Sequence, residues 1–314
     1  MRRYVARRVA ALAVTLLFVS ALVFVVVRVL PGDPVAVIMG TEGGREAGDR
    51  LRRSMGLDRP LPLQYVTWVA GALRGDLGRS IQYDVPVGAL ILSRLPVTLP
   101  LTLLAAAFMV LGALPLGLYA ATRHRRAGDY AAMIVSQIGI SVPQFWSGLL
   151  LILFFSVRLG WVRSGGFDGW SAGVGPALRS LLLPAIALGF FQAAVLVRAT
   201  RSAVLDVMRE DYVRTARAKG VSEPRVLARH TLRNALIPIV TVAGIQLGQL
   251  VAGSIVLESV FALPGLGRLA LGAITARDLP VVQGVALFVA SVIVVINFAV
   301  DLAYGLLDPR IRYE

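Results

Sequence analysis

Six long runs of apolar residues, none containing a charged side chain, dominate this sequence. A helix needs about 20 such residues to cross roughly 30 Å of hydrocarbon, because inside a bilayer every backbone polar group must be hydrogen-bonded within the protein. Each run meets or approaches that length. The pattern predicts an all-α integral membrane protein with six transmembrane helices, at residues 9–27, 95–122, 131–157, 180–197, 234–257 and 279–300.

The first run follows an arginine-containing stretch at residues 2–8, as the apolar core of a secretory signal would. Its length of 19 residues exceeds that of a signal core, and no small-x-small cleavage site follows it. We therefore expect residues 1–30 to form a short tip and a retained first transmembrane helix.

The composition agrees with a bilayer as the solvent and narrows the chemistry. Of the 314 residues, 57% are hydrophobic, and the mean hydropathy is +0.74. Cysteine is absent and the two histidines are His124 and His230, which excludes disulfides, thiolate chemistry and Cys/His zinc sites. The sole lysine, Lys219, lies in Ala-Lys-Gly, so the chain has no phosphate-cradling loop for ATP. We expect no catalytic residues and no metal site.

Basic residues set the predicted orientation, because cytoplasmic loops of membrane proteins carry an excess of lysine and arginine. The run at 123–126 and nine basic residues between positions 198 and 233 fall on the same side as the N-terminus. Both termini are then cytoplasmic, and the segment 31–94 is external. The net charge of +14 suits this topology and contacts with anionic lipids, so we do not expect nucleic-acid binding.

One stretch of the external segment has the periodicity of a helix with an apolar stripe. Such a stripe is typical of a helix that lies at the level of the lipid headgroups. A buried helix in a small external cap would show the same pattern, and both interpretations stay open. The stripe consists of Tyr65, Trp68, Val69, Ala72 and Leu73.

The basic segment between the fourth and fifth runs must lie in water or against a soluble partner, since a charged side chain costs roughly 2.5–3.5 kcal/mol at mid-membrane. Residues 201–219 have helical periodicity, and Gly220 stands where a left-handed residue ends a helix. Ser222 is expected to cap a second, short helix over 222–229, with Glu223 in its first turn. The sequence predicts a rigid projection that fits a groove on a soluble subunit. A loop that only sets topology is the alternative.

Residues 211–220 are Asp-Tyr-Val-Arg-Thr-Ala-Arg-Ala-Lys-Gly, and residues 230–238 are His-Thr-Leu-Arg-Asn-Ala-Leu-Ile-Pro. Together they resemble the EAA loop of bacterial ABC importer permeases, in the form found in the dipeptide/oligopeptide/nickel family. Of the general loop pattern only Ala216, Gly220 and Leu232 match, as expected of the peptide branch. Other segments that resemble signatures of this branch are 31–34, 56–60, 74–78, 141–145, 261–268 and 307–310.

The resemblance implies a type I ABC importer permease, a non-catalytic multi-pass subunit of the bacterial inner membrane. Such a subunit forms half of a translocation pathway for peptides or related small solutes, which it moves by alternating access. The implied partners are a homologous second permease, two cytoplasmic ATPase subunits that bind ATP and magnesium, and an extracytoplasmic substrate-binding protein. The chain itself then carries no cofactor.

The resemblance also divides the chain into functional segments. These are the tip and first helix at 1–30, the external segment at 31–94, a transporter core at 95–307 with its coupling loop at 198–233, and a cytoplasmic tail at 308–314. The residues expected to dock an ATPase subunit are Asp211, Ala216, Gly220, Ser222, Glu223, Arg225 and Arg229.

Polar residues within the apolar runs are candidates for lining the pathway, because such residues usually face a bundle interior or a cavity. Hydrogen bonds between helices are the alternative. Gln246 and Gln249 share a helix face with Gly253, which makes the fifth span the favoured pathway helix. The candidates are Gln246, Gln249, Glu258, Gln192 and Asn297, and further polar groups are Gln137, Gln144 and Asp301.

Other functions and cargoes also fit parts of the pattern. A secondary transporter or channel would need no rigid basic projection. Within the importer family, nickel chelate, glutathione and oligosaccharide are alternatives to peptides. A bare metal ion is disfavoured, because no cysteine occurs and neither histidine lies in an apolar run.

Overall fold

A computed structural model of the chain describes residues 2–29, 45–54 and 56–307, and these residues form helices joined by turns. Every named element within the described ranges is helical. In chain order they are α1 (Arg2–Val29), α2 (Arg45–Ser54), α3 (Leu61–Leu73), α4 (Val87–Thr122), α5 (Ala127–Ser141), α6 (Gln144–Leu151) with a π-helical extension (Ile152–Arg158), α7 (Val174–Met208), α8 (Asp211–Ala218), α9 (Glu223–Arg225) with a π-helical turn (Val226–Leu232), α10 (Arg233–Val260), α11 (Leu266–Thr275) and α12 (Leu279–Leu307).

The predicted six-span architecture is confirmed, with one span broken. Among the described residues, five helices are long and apolar enough to cross a membrane, and the pair α5 and α6 makes a sixth span with a bend of 104°. The predicted third run at 131–157 is therefore not one straight helix. Val142 is extended, with φ −88° and ψ 123°, because the ring of Pro143 excludes the residue before it from the helical region.

The helix α7 is the centre of the bundle. Of its most apolar stretch 67% is buried, against 11% for α1, and its largest interface is with α4. A Cβ on Gly189 would lie 2.7 Å from the carbonyl oxygen of Ala105, and one on Gly117 would lie 2.6 Å from Thr200 Cβ. Glycine lets these backbones approach closely, which is the usual way that helices associate in lipid.

Contacts between distant parts of the chain define two ends of the bundle, the amino end, where α1 begins, and the far end. At the amino end, Arg8 Nη1 of α1 pairs with Asp301 Oδ2 of α12 at 2.6 Å. At the far end, the backbone N–H of Gly166 donates to the carbonyl of Phe261 at 2.8 Å. The loop that joins α7 to α10 lies at the amino end.

The helix α3 lies against α1 through its aromatic residues. The rings of Phe24 and Tyr65 are 5.5 Å apart, and the hydroxyl groups of Ser20 and Tyr65 are 2.8 Å apart. The only buried residue of α3 is Gln64, whereas Val66 and Leu73 are exposed. Of the predicted stripe, Tyr65 and Trp68 contact Phe24 of α1 and Leu73 is exposed, so both interpretations of the stripe stay open.

Some sequence-based expectations lie outside the described residues. The segment 31–34 and the tail 308–314 are among these, and the domain boundaries at 30/31 and 307/308 fall at the edges of what the structure describes. The orientation of the bundle in the membrane also stays a prediction.

A labelling experiment tests that orientation. We expect a cysteine at position 125 or 220 to react with a membrane-impermeant maleimide only after the membrane is opened, because both positions lie at the amino end, predicted to be cytoplasmic. A cysteine at position 68 or 163 should react in intact cells or spheroplasts. The native chain contains no cysteine and is its own unlabelled control. External labelling at position 220 would reverse the assigned topology.

Candidate functional site

The loop at the amino end between α7 and α10 folds as a compact projection. We predicted one helix over 201–219, but α7 ends at Met208 and α8 starts at Asp211. The break occurs because Glu210 is extended, with φ −66° and ψ 145°. This change of direction places Val213 and Ala216 of α8 on the inner side of the loop, where both are buried.

The corner at Gly220 is the predicted left-handed helix end. Gly220 has φ +80°, and its N–H donates to the carbonyl of Arg217 at 2.9 Å. The N–H of Val221 donates to the carbonyl of Ala216 at 3.2 Å. These two hydrogen bonds form a Schellman motif, in which the residue after the helix must take positive φ.

The second arm of the loop differs from the prediction in two respects. Ser222 occupies the N-cap position but its side chain makes no capping hydrogen bond. Instead, Arg217 holds Glu223 across the corner, with Nε to Oε1 at 2.7 Å and Nη2 to Oε2 at 3.3 Å. The predicted short helix over 222–229 is also not separate, because it continues as one helical stretch, Glu223–Val260, into the fifth span.

A small apolar cluster joins the two arms. Val213 and Val226 are 0% and 1% exposed, and Val207 and Val221 pack against them. Tyr212 and Asn234 add a polar contact, in which Asn234 Nδ2 donates to the tyrosine hydroxyl at 2.6 Å. The projection is therefore packed as part of α10, so the two should move together.

The residues that the sequence assigned to docking fall into two groups. Ala216 is buried beneath the corner and supports the loop. The others present their side chains or backbone at the surface of the projection. The exposed group comprises Asp211, Gly220, Ser222, Glu223, Arg225 and Arg229.

The base of the projection is held by an ion pair that the sequence did not reveal. Asp129 at the start of α5 is 2% exposed and binds Arg201 of α7 through two bonds, Nε to Oδ1 at 2.5 Å and Nη2 to Oδ2 at 2.7 Å. The N–H of Arg125 also donates to Asp129 at 3.0 Å. The sequence shows only that a single carboxylate, Asp129, lies close to the basic run at 123–126. It does not show that this carboxylate pairs with Arg201, 72 residues later.

The candidate pathway residues are not brought together by the structure. Gln192 and Gln246 are buried, at 3% and 8% exposure, and Gln192 Oε1 has no hydrogen-bond partner among the described residues. Gln249 and Asn297 are exposed on α10 and α12. Gln246 and Gln249 therefore do not share one environment, although they are three residues apart.

The polar groups outside that candidate set have separate contacts. Gln137 accepts a hydrogen bond from Arg198 Nη1 at 3.2 Å. Gln144, which follows the bend in the third span, lies against Gly253, where a Cβ would be 2.9 Å from its Oε1. Gly253 is thus in contact with α6 and does not line an open path in this conformation.

Glu258 does not line a pathway in this structure, because it is fully buried at the far end. Its Oε1 accepts a hydrogen bond from the hydroxyl of Thr98 at 2.6 Å, and its Oε2 accepts one from the N–H of Gly267 at 2.6 Å. The N–H of Leu266 in turn donates to Thr98 Oγ1 at 2.8 Å. The carboxylate thus anchors the start of α11 to α4 and α10.

Comparison with known proteins places the chain in a family. Residues 113–313 match the model of the binding-protein-dependent transport system inner membrane component, and residues 1–102 match the N-terminal model of the same kind of component. A putative peptide transport system permease protein of Brucella abortus is 44% identical over 314 residues, with 100% of both chains covered.

Two further relatives match over their whole length. The di/tripeptide transport system permease protein DppB of Pseudomonas aeruginosa is 42% identical, with 100% of both chains covered. The glutathione transport system permease protein GsiC of Escherichia coli is 43% identical, again with 100% of both chains covered. These relatives agree with the resemblance seen in the loop residues.

The fold is similar to that of a solved transporter. An inward-facing structure of the MetNI methionine ABC transporter matches with a TM-score of 0.59 and 21% identity, covering 70% of this chain and 96% of that chain. At this identity the likeness concerns the fold alone. The family models and the full-length relatives establish that this protein belongs to the family of binding-protein-dependent transport system inner membrane components.

Proposed function

We propose that the chain is the permease subunit of an ATP-driven importer and forms half of a peptide pathway across the bacterial inner membrane. The observation that carries this proposal is the projection at the amino end. It is exposed, internally packed and continuous with α10. These are the properties expected of a part that transmits force from a soluble ATPase to the membrane helices.

The proposed partners follow from what the chain has and lacks. Two cytoplasmic ATPase subunits would bind ATP and magnesium, because the sequence contains no phosphate-cradling loop. One of them would receive the exposed residues Asp211, Gly220, Glu223, Arg225 and Arg229. A homologous permease would complete the pathway, and an extracytoplasmic binding protein would deliver the solute. The chain itself would hold no cofactor.

The proposed mechanism is a rigid-body movement of the projection. Closure of the ATPase pair would shift the Gly220 corner, and the continuous stretch Glu223–Val260 would carry this shift into the fifth span. The Asp129–Arg201 ion pair would transmit it to α5 and α7. Closely packed helix interfaces switch between discrete arrangements and do not deform continuously. Two such arrangements would correspond to the inward-open and outward-open states.

Peptides are the best-supported cargo. Full-length relatives at 42–44% identity are named for peptide, di/tripeptide and glutathione transport, and glutathione is itself a modified tripeptide. None of these relatives is named for nickel or oligosaccharide transport. The pathway residues remain proposals, and the exposed amide Gln249 is the strongest of them, since it can meet a solute or the second permease.

Reconstitution tests this function. We expect the purified chain alone to hydrolyse no ATP, whereas proteoliposomes with the second permease, the ATPase subunits and the binding protein should take up labelled di- or tripeptide in an ATP-dependent manner. Uptake should stop when the binding protein is omitted. ATP turnover by this polypeptide on its own, or peptide uptake without any ATPase subunit, would contradict the proposal.

A further inference from the structure

One arginine of α7 holds its charge within the membrane-spanning part of the bundle. Arg198 Nη1 donates to Gln137 Oε1 of α5 at 3.2 Å. Gln137 lies six residues past the start of the apolar run 131–157, which is about 9 Å along a helix. A second helix gives a similar depth, because Gly117, five residues before the end of the apolar run of α4, packs against Thr200. The guanidinium of Arg198 therefore lies inside the hydrocarbon layer and not at its edge.

This charge is open to the surroundings of the single chain. Arg198 is exposed, and within the part of the chain that the structure describes it has no ion-pair partner, since Asp129 of the same helix interface is held by Arg201. A charged side chain at membrane depth is costly against lipid and almost always faces a protein interior or a water-filled cavity. This side of α5 and α7 therefore faces either the pathway or the second permease in the assembled transporter.

The arginine is one end of a polar line that follows α5 into the membrane. Gln137 Nε2 donates to Ser141 Oγ at 3.4 Å, and both residues are exposed. Ser141 lies ten residues past the start of its apolar run, about 15 Å along the helix and so near the middle of a core of roughly 30 Å. Permanent helix contacts in lipid favour small residues, as on the buried face with Ala132, Ser136 and Gly139. An exposed polar line that reaches mid-membrane favours a water-filled path.

We propose that Arg198 receives the carboxylate of the transported peptide, and that Gln137 and Ser141 line the path by which the peptide arrives. This inference rests on the proposed function and names the group of the cargo that is recognised. A guanidinium has five N–H donors and can bind a carboxylate through two of them. Gln137 holds one donor and so orients the group, and the others are left for the cargo. An exposed ion pair is weak, as release into the cytoplasm requires.

Uptake of two matched peptides tests the assignment. Proteoliposomes with the whole transporter are given a labelled dipeptide below saturation, either as the free acid or as its C-terminal amide. For Arg198→Gln we expect uptake of the acid to fall roughly tenfold, as expected when a hydrogen bond to a charged group is lost, and uptake of the amide to stay near the parental rate. Arg198→Lys keeps the charge without the two-pronged geometry and should fall in between.

The comparison of acid-to-amide ratios contains its own controls. Any preference of the binding protein for one peptide is common to all variants and cancels in the comparison. Arg126→Gln changes an exposed arginine at the start of α5 and should keep the parental ratio. An equal ratio in Arg198→Gln and the parent overturns the carboxylate contact, whether both rates persist or both fall because Arg198 pairs with the second permease. Absence of uptake by the parental transporter would overturn the proposed function instead.

Access of water gives a test that does not depend on the peptide. In the assembled transporter, Ser141→Cys should react with a small cationic methanethiosulfonate reagent, followed by the mass of this polypeptide, which has no cysteine of its own. The matched control is Leu111→Cys, at a similar depth on α4 and 74% exposed, which should not react because an apolar side chain there faces lipid. If a cysteine at position 125 reacts and Ser141→Cys does not, the path along α5 is overturned.

Discussion

Gly220→Val is expected to abolish peptide uptake by the reconstituted transporter while leaving membrane insertion and capture of the binding protein near normal. Gly220 has φ +80°, and left-handed backbone costs an L-residue about 1–2 kcal/mol, more for a β-branched one. A Cβ there would meet no atom within 4 Å among the described residues. The penalty is therefore conformational, and the chain can relieve it by opening the Schellman corner.

Opening that corner changes the part of the projection that an ATPase subunit would contact. The hydrogen bonds from Gly220 and Val221 back to α8 would be lost, and the Arg217–Glu223 pair across the corner would loosen. The ATPase subunits would still bind ATP, but their closure would no longer move α10. We expect substrate-stimulated ATP hydrolysis and uptake to fall together, measured on the same proteoliposomes.

Two variants separate this effect from general damage. Gly220→Asn should retain most transport, because asparagine enters the left-handed region readily. Gly160→Val imposes the same kind of strain at the far end, where Gly160 has φ +64° and a Cβ would meet no atom of the described residues within 4 Å, and it should leave ATP hydrolysis coupled to uptake. If Gly220→Val takes up peptide at the parental rate, the corner serves only to set the topology of the loop and does not couple ATP hydrolysis to transport.

Glu258→Ala is expected to destabilise the far end of the bundle by at least about 3 kcal/mol, since a buried donor left without its acceptor costs about 1–3 kcal/mol. Three donors lose their acceptor together: the hydroxyl of Thr98 and the N–H groups of Gly267 and Arg268. The start of α11 would come away from α4. This separation would lower the midpoint of thermal unfolding of the complex. It would also allow maleimide to label a cysteine at position 269.

The controls for this prediction use the same helix. Glu258→Gln keeps the volume and one acceptor oxygen, so its effect should be clearly smaller than that of Glu258→Ala. Ser259→Ala changes the next residue, whose hydroxyl bonds, within the described part of the chain, only to the carbonyl of Ile255 of its own helix at 3.2 Å, and it should be nearly neutral. An unfolding midpoint for Glu258→Ala equal to that of Ser259→Ala would show that the carboxylate does not anchor α11.

Local patterns in the sequence were sufficient for the number and approximate position of the spans and for the corner of the loop. The six spans followed from hydropathy, because a bilayer requires each spanning segment to satisfy its own backbone. Gly220 was identified by its position after a helical period, since a Schellman end depends on a few neighbouring residues. The bend at Pro143 was also present in the sequence, but the long apolar run at 131–157 concealed it.

Contacts between distant segments were decided only in the tertiary structure. Nothing near Glu258 indicates that its partner is Thr98, 160 residues earlier, or that Asp129 binds Arg201. A polar residue in an apolar run fits a pathway and a helix contact equally well, because hydropathy does not record which way a side chain points. The sequence by itself therefore determined the membrane class, the spans and the glycine corner of the loop, whereas packing decided which polar groups hold the helices together and which meet the surface.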